Sequence, residues 1–183
     1  MTDPGTGLRG SKQRLFFALW PDTDVRDAIA HAAAPLFAAC QSRAVPAANY
    51  HLTLAFLGGL SPATAADVAI AARGVRFATF DLSLQQAGYW QRSRVAWFAP
   101  VGCPQALATL VDDLWNRLAG LGLALDSRQF RPHVTLARDI DEVTGMQLAM
   151  PVEWRVQSFA LVQSTAGAAG VTYTVLEEFP AMQ

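Results

Sequence analysis

The sequence predicts an α+β fold in which antiparallel sheets dominate and helices are few. Three observations favour it. Short aromatic and β-branched segments bounded by Gly, Pro, Asn or Ser are typical of strands, and three segments carry helix signals, one of them with apolar residues at helical spacing. Two His-x-Thr tripeptides, in HLTLAFLG and RPHVTLAR, each lie in a strand-like segment that follows a helix. The 183 residues, 52% of them hydrophobic, can bury one sizeable core.

The first part of the chain has the pattern of two strand–helix units. Its predicted elements are strand 13–20, helix 23–40, strand 50–57 and a helix from 62 to about 73. Pro35 is expected to kink the first helix or end it early. Gly58-Gly59 is expected to close the second strand, and Ser61-Pro62 forms a favourable N-cap and N1 pair.

The second part has the pattern of strands around one amphipathic helix. Its predicted strands are 79–86, 94–99, 132–137, 154–164 and 171–179. The segment AGYWQRS joins the first two strands, and it is too irregular for a two-residue hairpin turn. Pro104 opens the helix, and Gly120 and Gly122 stop it; TAGAAG is a natural hairpin loop between the last two strands.

Composition excludes several classes of protein. A net charge of −1 gives no global attraction to a polyanion, so a long duplex is not expected as the main ligand. Cys40 and Cys103 lie far apart without zinc-ligand spacing, and we expect both to be reduced, packed thiols. No His/Asp/Glu cluster has metal-ligand spacing, so neither a metal nor a cofactor is expected. The polar segment 1–12 is expected to be a disordered tail without a signal peptide, which predicts a cytoplasmic protein.

The two tripeptides suggest a shared site. Residues i and i+2 of a strand point to the same face, so each histidine converges with a threonine hydroxyl on one small group. An imidazole can donate or accept a proton near neutral pH, and a hydroxyl can bind an anionic oxygen. An ordinary half-buried strand explains one such tripeptide, but two in matching context favour a site. His31, the third histidine, has Ala33 two residues on and lacks the pattern.

Several segments, in order, resemble one family. RLFFALWP, HLTLAFLG, GYWQRSRVAWF and RQFRPHVTLAR are similar to segments of the two-histidine (2H) phosphoesterases. Among these, the chain looks like the RNA 2′,3′-cyclic phosphodiesterases, also called 2′-5′ RNA ligases. The resemblance implies a bilobal, pseudo-two-fold fold: two antiparallel β-sheet lobes with flanking helices around a central cleft. It also implies that residues 13–183 form one domain of a monomeric enzyme.

The resemblance also implies the site residues. His51 and His133 are the catalytic pair, with His51 as general acid and His133 as general base. Thr53, Thr135 and Arg138 would bind the phosphate, although on an ideal strand Arg138 points away from Thr135 and must reach the cleft through a bend. The implied reaction is metal-independent hydrolysis of an RNA 2′,3′-cyclic phosphate end to a 2′-phosphomonoester. Its reverse would form a 2′-5′ linkage.

Other residues receive weaker predictions, in three groups. Core positions are predicted for Phe56, Leu57 and Phe130. Contact with a nucleotide is predicted for Trp90 and Arg94. A solvated helix face is predicted for Asp112 and Asp113.

Two other functions stay open. The chain could act on a small nucleotide such as ADP-ribose 1″,2″-cyclic phosphate, or it could keep the fold as a non-catalytic RNA-end-binding module. Turnover of a cyclic-phosphate oligonucleotide separates binding from catalysis.

Overall fold

The structure is a computed structural model that describes residues 12–39, 44–123, 129–141, 147–167 and 170–182. Residues 1–11 of the predicted tail, and Cys40, lie outside the described residues. The helices are α1 (Thr23–Ala39), α2 (Pro62–Arg73) and α3 (Gln105–Ala119). The strands are β1 (Gln13–Leu19), β2 (Leu52–Leu60), β3 (Phe80–Leu84), β4 (Gln86–Trp90), β5 (Val95–Ala99), β6 (Val134–Arg138), β7 (Val152–Val156), β8 (Ser158–Gly167) and β9 (Gly170–Pro180).

The strands form one large sheet and one small one, and the α+β prediction is confirmed. The large sheet has the order β4-β5-β6-β2-β1-β8-β9, β3 pairs with β7, and all of these pairings are antiparallel. At the centre, β2 and β6 pair through Leu52 and Val134 alone. The two expected lobes are therefore the two halves of one sheet, β9-β8-β1-β2 and β6-β5-β4, joined at the two motif strands.

The sheet is apolar on both faces of its first half. The main core includes α3, whose Leu107, Leu110 and Leu114 are fully buried at the predicted helical spacing. A second, smaller cluster lies on the opposite face, formed by Phe16, Ala18, Ala160 and Val162 with Trp20, Tyr173 and Val175 packed against it. The motif strand β2 therefore has one face in the core and the other beside this aromatic cluster.

Two predicted strand boundaries are wrong. Gly58-Gly59 does not close β2, because both glycines pair with β1 and Gly58 adopts φ +71, which glycine tolerates. AGYWQRS is not an irregular connection: Gln86–Trp90 is the edge strand β4, which pairs residue for residue with β5. A four-residue turn closes this hairpin, and the low β-propensity of its Gln, Ala and Gly concealed the strand.

Other elements differ less from prediction. Pro35 lies inside α1 without ending it. The predicted strand 154–164 is two strands, β7 and β8, which belong to different sheets. Ser61 caps α2 as predicted, since the Thr64 N–H donates to Ser61 Oγ at 3.1 Å. No helix in the described part of the chain is long and apolar enough to cross a membrane.

Candidate active site

The two motifs meet where β2 and β6 pair. Leu52 and Val134, each one residue after a motif histidine, are antiparallel partners, so a local two-fold axis relates the two motifs. This register brings each histidine opposite the other motif's threonine and the two histidines diagonally across the pair. Diagonal neighbours in such a pair are about 7–8 Å apart, which leaves room for a phosphate between their side chains.

The two imidazoles are held in the same way. His51 Nδ1–H donates to Asn49 O at 2.7 Å, and His133 Nδ1–H donates to Arg131 O at 2.8 Å. A carbonyl only accepts, so each bond places the proton of a neutral ring on Nδ1. Both histidines therefore keep Nε2 as the free base. This matched tautomer is what proton transfer on either side of one phosphorus atom requires.

Aromatic rings surround His51 on several sides. Its ring stacks on Trp20 with centroids 5.6 Å apart, and Phe16 and Tyr173 lie at 4.9 and 5.1 Å. Asn49, whose carbonyl holds the imidazole, is itself tied to β9 through Asn49 Nδ2 and Val171 O at 3.1 Å. His51 thus sits among aromatic rings and is held by one backbone carbonyl.

One tryptophan contacts His133. The Trp90 ring meets the imidazole edge-on with centroids 4.5 Å apart, and Trp90 in turn packs against Trp97 at 5.4 Å. The predicted nucleotide-flanking position of Trp90 is thus beside the second catalytic candidate. Arg94, predicted with it, donates to Ile140 O and Asp141 Oδ1 instead, so it ties the hairpin turn to the segment that follows β6.

A matched β-bulge shapes each motif strand. Between Thr53 and Ala55, β2 has one more residue than β1, and between Thr135 and Ala137, β6 has one more than β5. The extra residues are Leu54 and Leu136, each directly after the motif threonine. An extra residue reverses the alternation of side chains. The residue three places after each threonine therefore returns to the threonine's face.

The carbonyl of each bulge residue is bonded from outside its strand pair. Trp115 Nε1 on α3 donates to Leu54 O at 2.9 Å, and Val45 N donates to Leu136 O at 2.7 Å. Because both bulge carbonyls are satisfied, the bulges are fixed features of the two motifs.

The bulges place Arg138 and Phe56 at corresponding positions. Arg138, three residues after Thr135, shares its face and has Nη2 3.5 Å from Thr135 Oγ1, so a bend brings it to the site as expected. Phe56, three residues after Thr53, is 63% exposed. The prediction of a core Phe56 is wrong, because the Leu54 bulge turns this side chain out of the core and toward the cleft.

Burial and charge lower the pKa of both histidines. Burial lowers the pKa of His51 to about 4, and the nearby charges of Arg138 and His133 lower it too, against the raising effect of the bond to Asn49. Burial, with Arg138, likewise lowers the pKa of His133. Both rings are therefore neutral at pH 7 in the free protein, and the one that acts as acid must gain its proton before or as substrate binds.

This predicts the pH dependence of catalysis. The enzyme form with one neutral and one protonated imidazole is most populated at a pH between the two pKa values, both of which are lowered from 6.5. Because kcat/KM reports the ionisation of the free enzyme, it should peak below pH 6.5. The kcat profile should peak at higher pH, because a bound phosphate anion raises both pKa values. Single-turnover and steady-state rates from pH 4 to 9 measure this. A kcat/KM that rises steadily to pH 9 would contradict it.

A cavity of about 1120 Å³ opens beside the site and is lined by one residue of each motif, Thr53 and His133. Phe56, Arg92 and Arg131 also line it. Among the described residues, no ion pair joins Arg92, Arg131 or Arg138 to a carboxylate. Their charge is thus available to a phosphate, although the chain as a whole carries −1.

The remaining predicted residues have structural contacts. Leu57 and Phe130 are half-buried and pack against the main core, which confirms that prediction, and Phe130 also lines the cavity. Asp112 is exposed as predicted. Asp113 is not simply solvated: it bonds to Arg117 Nε and to the backbone N–H of Arg76.

Cys103 is a free thiol, as predicted, but it is exposed and not packed. Within the described residues, no group of three or more His, Cys, Asp or Glu side chains is placed to hold a metal ion.

Three residues of the site escaped sequence reasoning: Phe16, Trp20 and Tyr173. A signal existed, because Phe16, Ala18 and Trp20 follow the period of two that places side chains on one strand face. The sequence pattern does not distinguish this face of β1 from one that packs in the core. Tyr173 comes from the last hairpin, which reaches His51 only through the order of the strands.

Two matched imidazoles, two hydroxyls and a guanidinium on one face form a site for acid–base chemistry on an anionic ester. A sequence model of the 2′-5′ RNA ligase superfamily matches residues 21–168, and the chain belongs to this family of two-histidine phosphoesterases. The RNA 2′,3′-cyclic phosphodiesterase of Escherichia coli is 36% identical over 172 residues, 93% of this chain and 98% of that protein. The enzyme of the same name from Thermus thermophilus is 32% identical over 177 residues, 91% and 89% of the two chains. The crystal structure of Escherichia coli LigT complexed with 3′-AMP is similar with a TM-score of 0.86 and 36% identity, over 94% of this chain and 99% of that one.

Proposed function

We propose that this chain hydrolyses the 2′,3′-cyclic phosphate end of an RNA to a 2′-phosphomonoester. The observation that carries the proposal is the matched pair of imidazoles, each with Nδ1–H bonded to a backbone carbonyl two residues earlier. Relatives named RNA 2′,3′-cyclic phosphodiesterase and a similar structure complexed with 3′-AMP support the substrate class. The chemistry needs no cofactor, because the two histidines move both protons.

The proposed reaction is an in-line displacement at phosphorus. One Nε2 takes a proton from water as the water oxygen bonds to phosphorus. The P–O3′ bond breaks, and the other imidazolium gives its proton to O3′, so the 2′-phosphate remains. The Thr53 and Thr135 hydroxyls and the Arg138 guanidinium stabilise the charge on the non-bridging oxygens. With a 5′-hydroxyl in place of water as the nucleophile, the same groups would form the 5′-O–P bond, break P–O3′ and leave a 2′-5′ linkage.

The surroundings of the histidines support His51 as acid and His133 as base. A general base must reach water, and His133 lines the open cavity. His51 is enclosed by Phe16, Trp20 and Tyr173, and the pKa that this burial lowers makes its imidazolium, once formed on binding of the phosphate, a strong proton donor to the leaving oxygen.

The first motif has Phe56 at the position where the second has Arg138, and in this proposal that difference orients the substrate. Arg138 binds the phosphate from the second motif, and the exposed ring of Phe56 stacks on the terminal base from the corresponding position of the first. The Phe56 ring contacts Phe16 at a centroid distance of 6.2 Å, and its exposed part lines the cavity, where it is available to a base.

Both motifs and the cavity belong to one chain, which supports a single functional domain over 13–183 and a monomeric enzyme. An RNA end as substrate fits a cytoplasmic location.

A substrate panel tests this function against the two alternatives. We expect turnover of an RNA with a 2′,3′-cyclic phosphate end, in the presence of EDTA, to exceed that of ADP-ribose 1″,2″-cyclic phosphate. Faster turnover of the ADP-ribose compound would favour the small-nucleotide alternative. Binding of the RNA end without turnover would favour the non-catalytic module.

Loss of a motif hydroxyl should lower the rate moderately. Thr→Val at position 53 or 135 keeps the β-branched shape but removes the hydrogen bond to phosphate. We expect kcat/KM to fall about 5–150-fold, from a loss of about 1–3 kcal/mol per threonine. Thr→Ser, the matched control, keeps the hydroxyl and should retain most activity. Equal rates for the Val and Ser variants would show that Thr53 and Thr135 serve only the strands.

A further inference from the structure

The sheet face that carries the catalytic candidates continues away from the site. Trp97 on β5 is the cross-strand partner of Thr135 on β6 and of Gly88 on β4. Opposed residues of antiparallel strands share a face, so Trp97 lies on the face of Thr135 and Arg138. Trp90, on the same face, packs between Trp97 and His133. An aromatic surface therefore runs from His133 to the edge strand.

The Trp97 ring extends from β5 outward over β4. A Cβ built on Gly88 would overlap the Trp97 ring, so only a glycine at this position lets the indole lie across the strand. The Trp97 ring therefore points away from Thr135 and toward the free edge of the sheet.

Burial in a hydrophobic core does not account for a tryptophan at this position. Trp97 and Trp90 are half-buried, and neither belongs to the hydrophobic clusters among the described residues. Trp97 Nε1 is buried without a hydrogen-bond partner in the described part of the chain, which costs stability. Since Nε1 makes no hydrogen bond, the flat ring is the part of the Trp97 side chain that can bind a ligand.

The far side of Trp97 borders a second groove. This groove has a volume of about 410 Å³ and is lined by Gln85, Gln86, Ala87, Trp97, Gln147 and Leu148. Glutamine amides present both donors and acceptors, which match the edges of nucleobases. Aromatic rings with flanking amides are the surface on which proteins bind single-stranded RNA.

We propose that Trp97 and the glutamine-lined groove bind the RNA strand that precedes the terminal cyclic phosphate. The inference rests on the proposed function and deepens it, because it makes an oligonucleotide the preferred substrate over a cyclic mononucleotide. The groove lies beside β4, two strands from Thr135, or about 10 Å at ordinary strand spacing. The second or third nucleotide from the end can span that distance. Arg92, exposed in the turn after β4, lines the larger cavity beside the site and adds positive charge there.

The test compares a 2′,3′-cyclic mononucleotide with a pentanucleotide that ends in the same cyclic phosphate. For the natural chain we expect a kcat/KM ratio, pentanucleotide over mononucleotide, of at least about 10, from base–aromatic stacking. Trp97→Leu should lower the ratio by at least about 5-fold, toward 1, and Trp97→Phe, which keeps a flat ring, should preserve most of it. The exposed Ile70 on α2 offers a control, and Ile70→Ala should leave the ratio unchanged.

Gln86→Ala provides a second variant, because this exposed side chain can be removed without touching the core. It should lower the ratio about 2–10-fold, by the loss of a hydrogen bond, and it carries the test if Trp97→Leu does not fold. A ratio near 1 for the natural chain, or an unchanged ratio in both Trp97→Leu and Gln86→Ala, overturns the inference. If the natural chain turns over neither substrate, the proposed function fails and the inference fails with it. Turnover without length dependence contradicts the inference alone.

Discussion

His51→Ala and His133→Ala should each lower hydrolysis of an RNA 2′,3′-cyclic phosphate by about 10²–10⁴-fold, the usual contribution of a general acid or base. The two positions are related by the local two-fold axis at Leu52 and Val134, and their imidazoles make the same backbone bond. In the proposed mechanism neither can replace the other, because they act on opposite sides of the phosphate. Single-turnover rates of folded variants measure the loss.

His31→Ala is the matched control, since His31 is exposed on α1 and should leave the rate unchanged. A substrate with sulfur in place of O3′ then separates the two roles. A thiolate leaves without a proton donor, so this substrate should restore the rate of the variant that lacks the acid, His51→Ala, and not that of His133→Ala. A rate within a few-fold of normal for either alanine variant on the ordinary substrate would contradict two-histidine catalysis.

Arg138→Ala should lower kcat by about 10²–10³-fold, as expected when a donor to the charged oxygens of a transition state is removed. Its effect should exceed that of either threonine, because a guanidinium supplies a full charge and two parallel donors. Arg138→Lys should recover only part of the rate, since an ammonium is a point charge without the planar fork. Steady-state kinetics of the three chains give the comparison.

Arg76→Ala is the control for the loss of one positive charge, because the Arg76 side chain is exposed and outside the cavity. It should retain the natural rate. If Arg138→Ala raised KM alone and left kcat intact, Arg138 would bind the ground state and the transition state equally, and its proposed role would be wrong.

The motif residues and the regular elements could be predicted from the sequence. The i, i+2 spacing of histidine and threonine depends only on local strand geometry, and α3 has a strong apolar period. The reach of Arg138 to the site required a bend, and the sequence did not indicate where it lies. The bend is the Leu136 bulge, which depends on the pairing of β6 with β5 and on the bond from Val45 N to Leu136 O.

The same limit explains the error at Phe56. In HLTLAFLG an alternating pattern is interrupted, and burial preference alone places a phenylalanine in the core. The Leu54 bulge reverses the alternation, and it is held by Trp115 from a helix more than 60 residues away in sequence. Likewise Gln86–Trp90 has little strand propensity of its own and becomes a strand through its pairing with β5.

The most direct test of the account is the product formed from a cyclic-phosphate RNA in ¹⁸O-labelled water with EDTA present. The account predicts that the natural chain forms a 2′-phosphomonoester that carries one ¹⁸O atom. The rate at which this product forms should fall to a similar extent in His51→Ala and His133→Ala. A 3′-phosphate product, or an activity that disappears with EDTA and returns with a divalent ion, would contradict it.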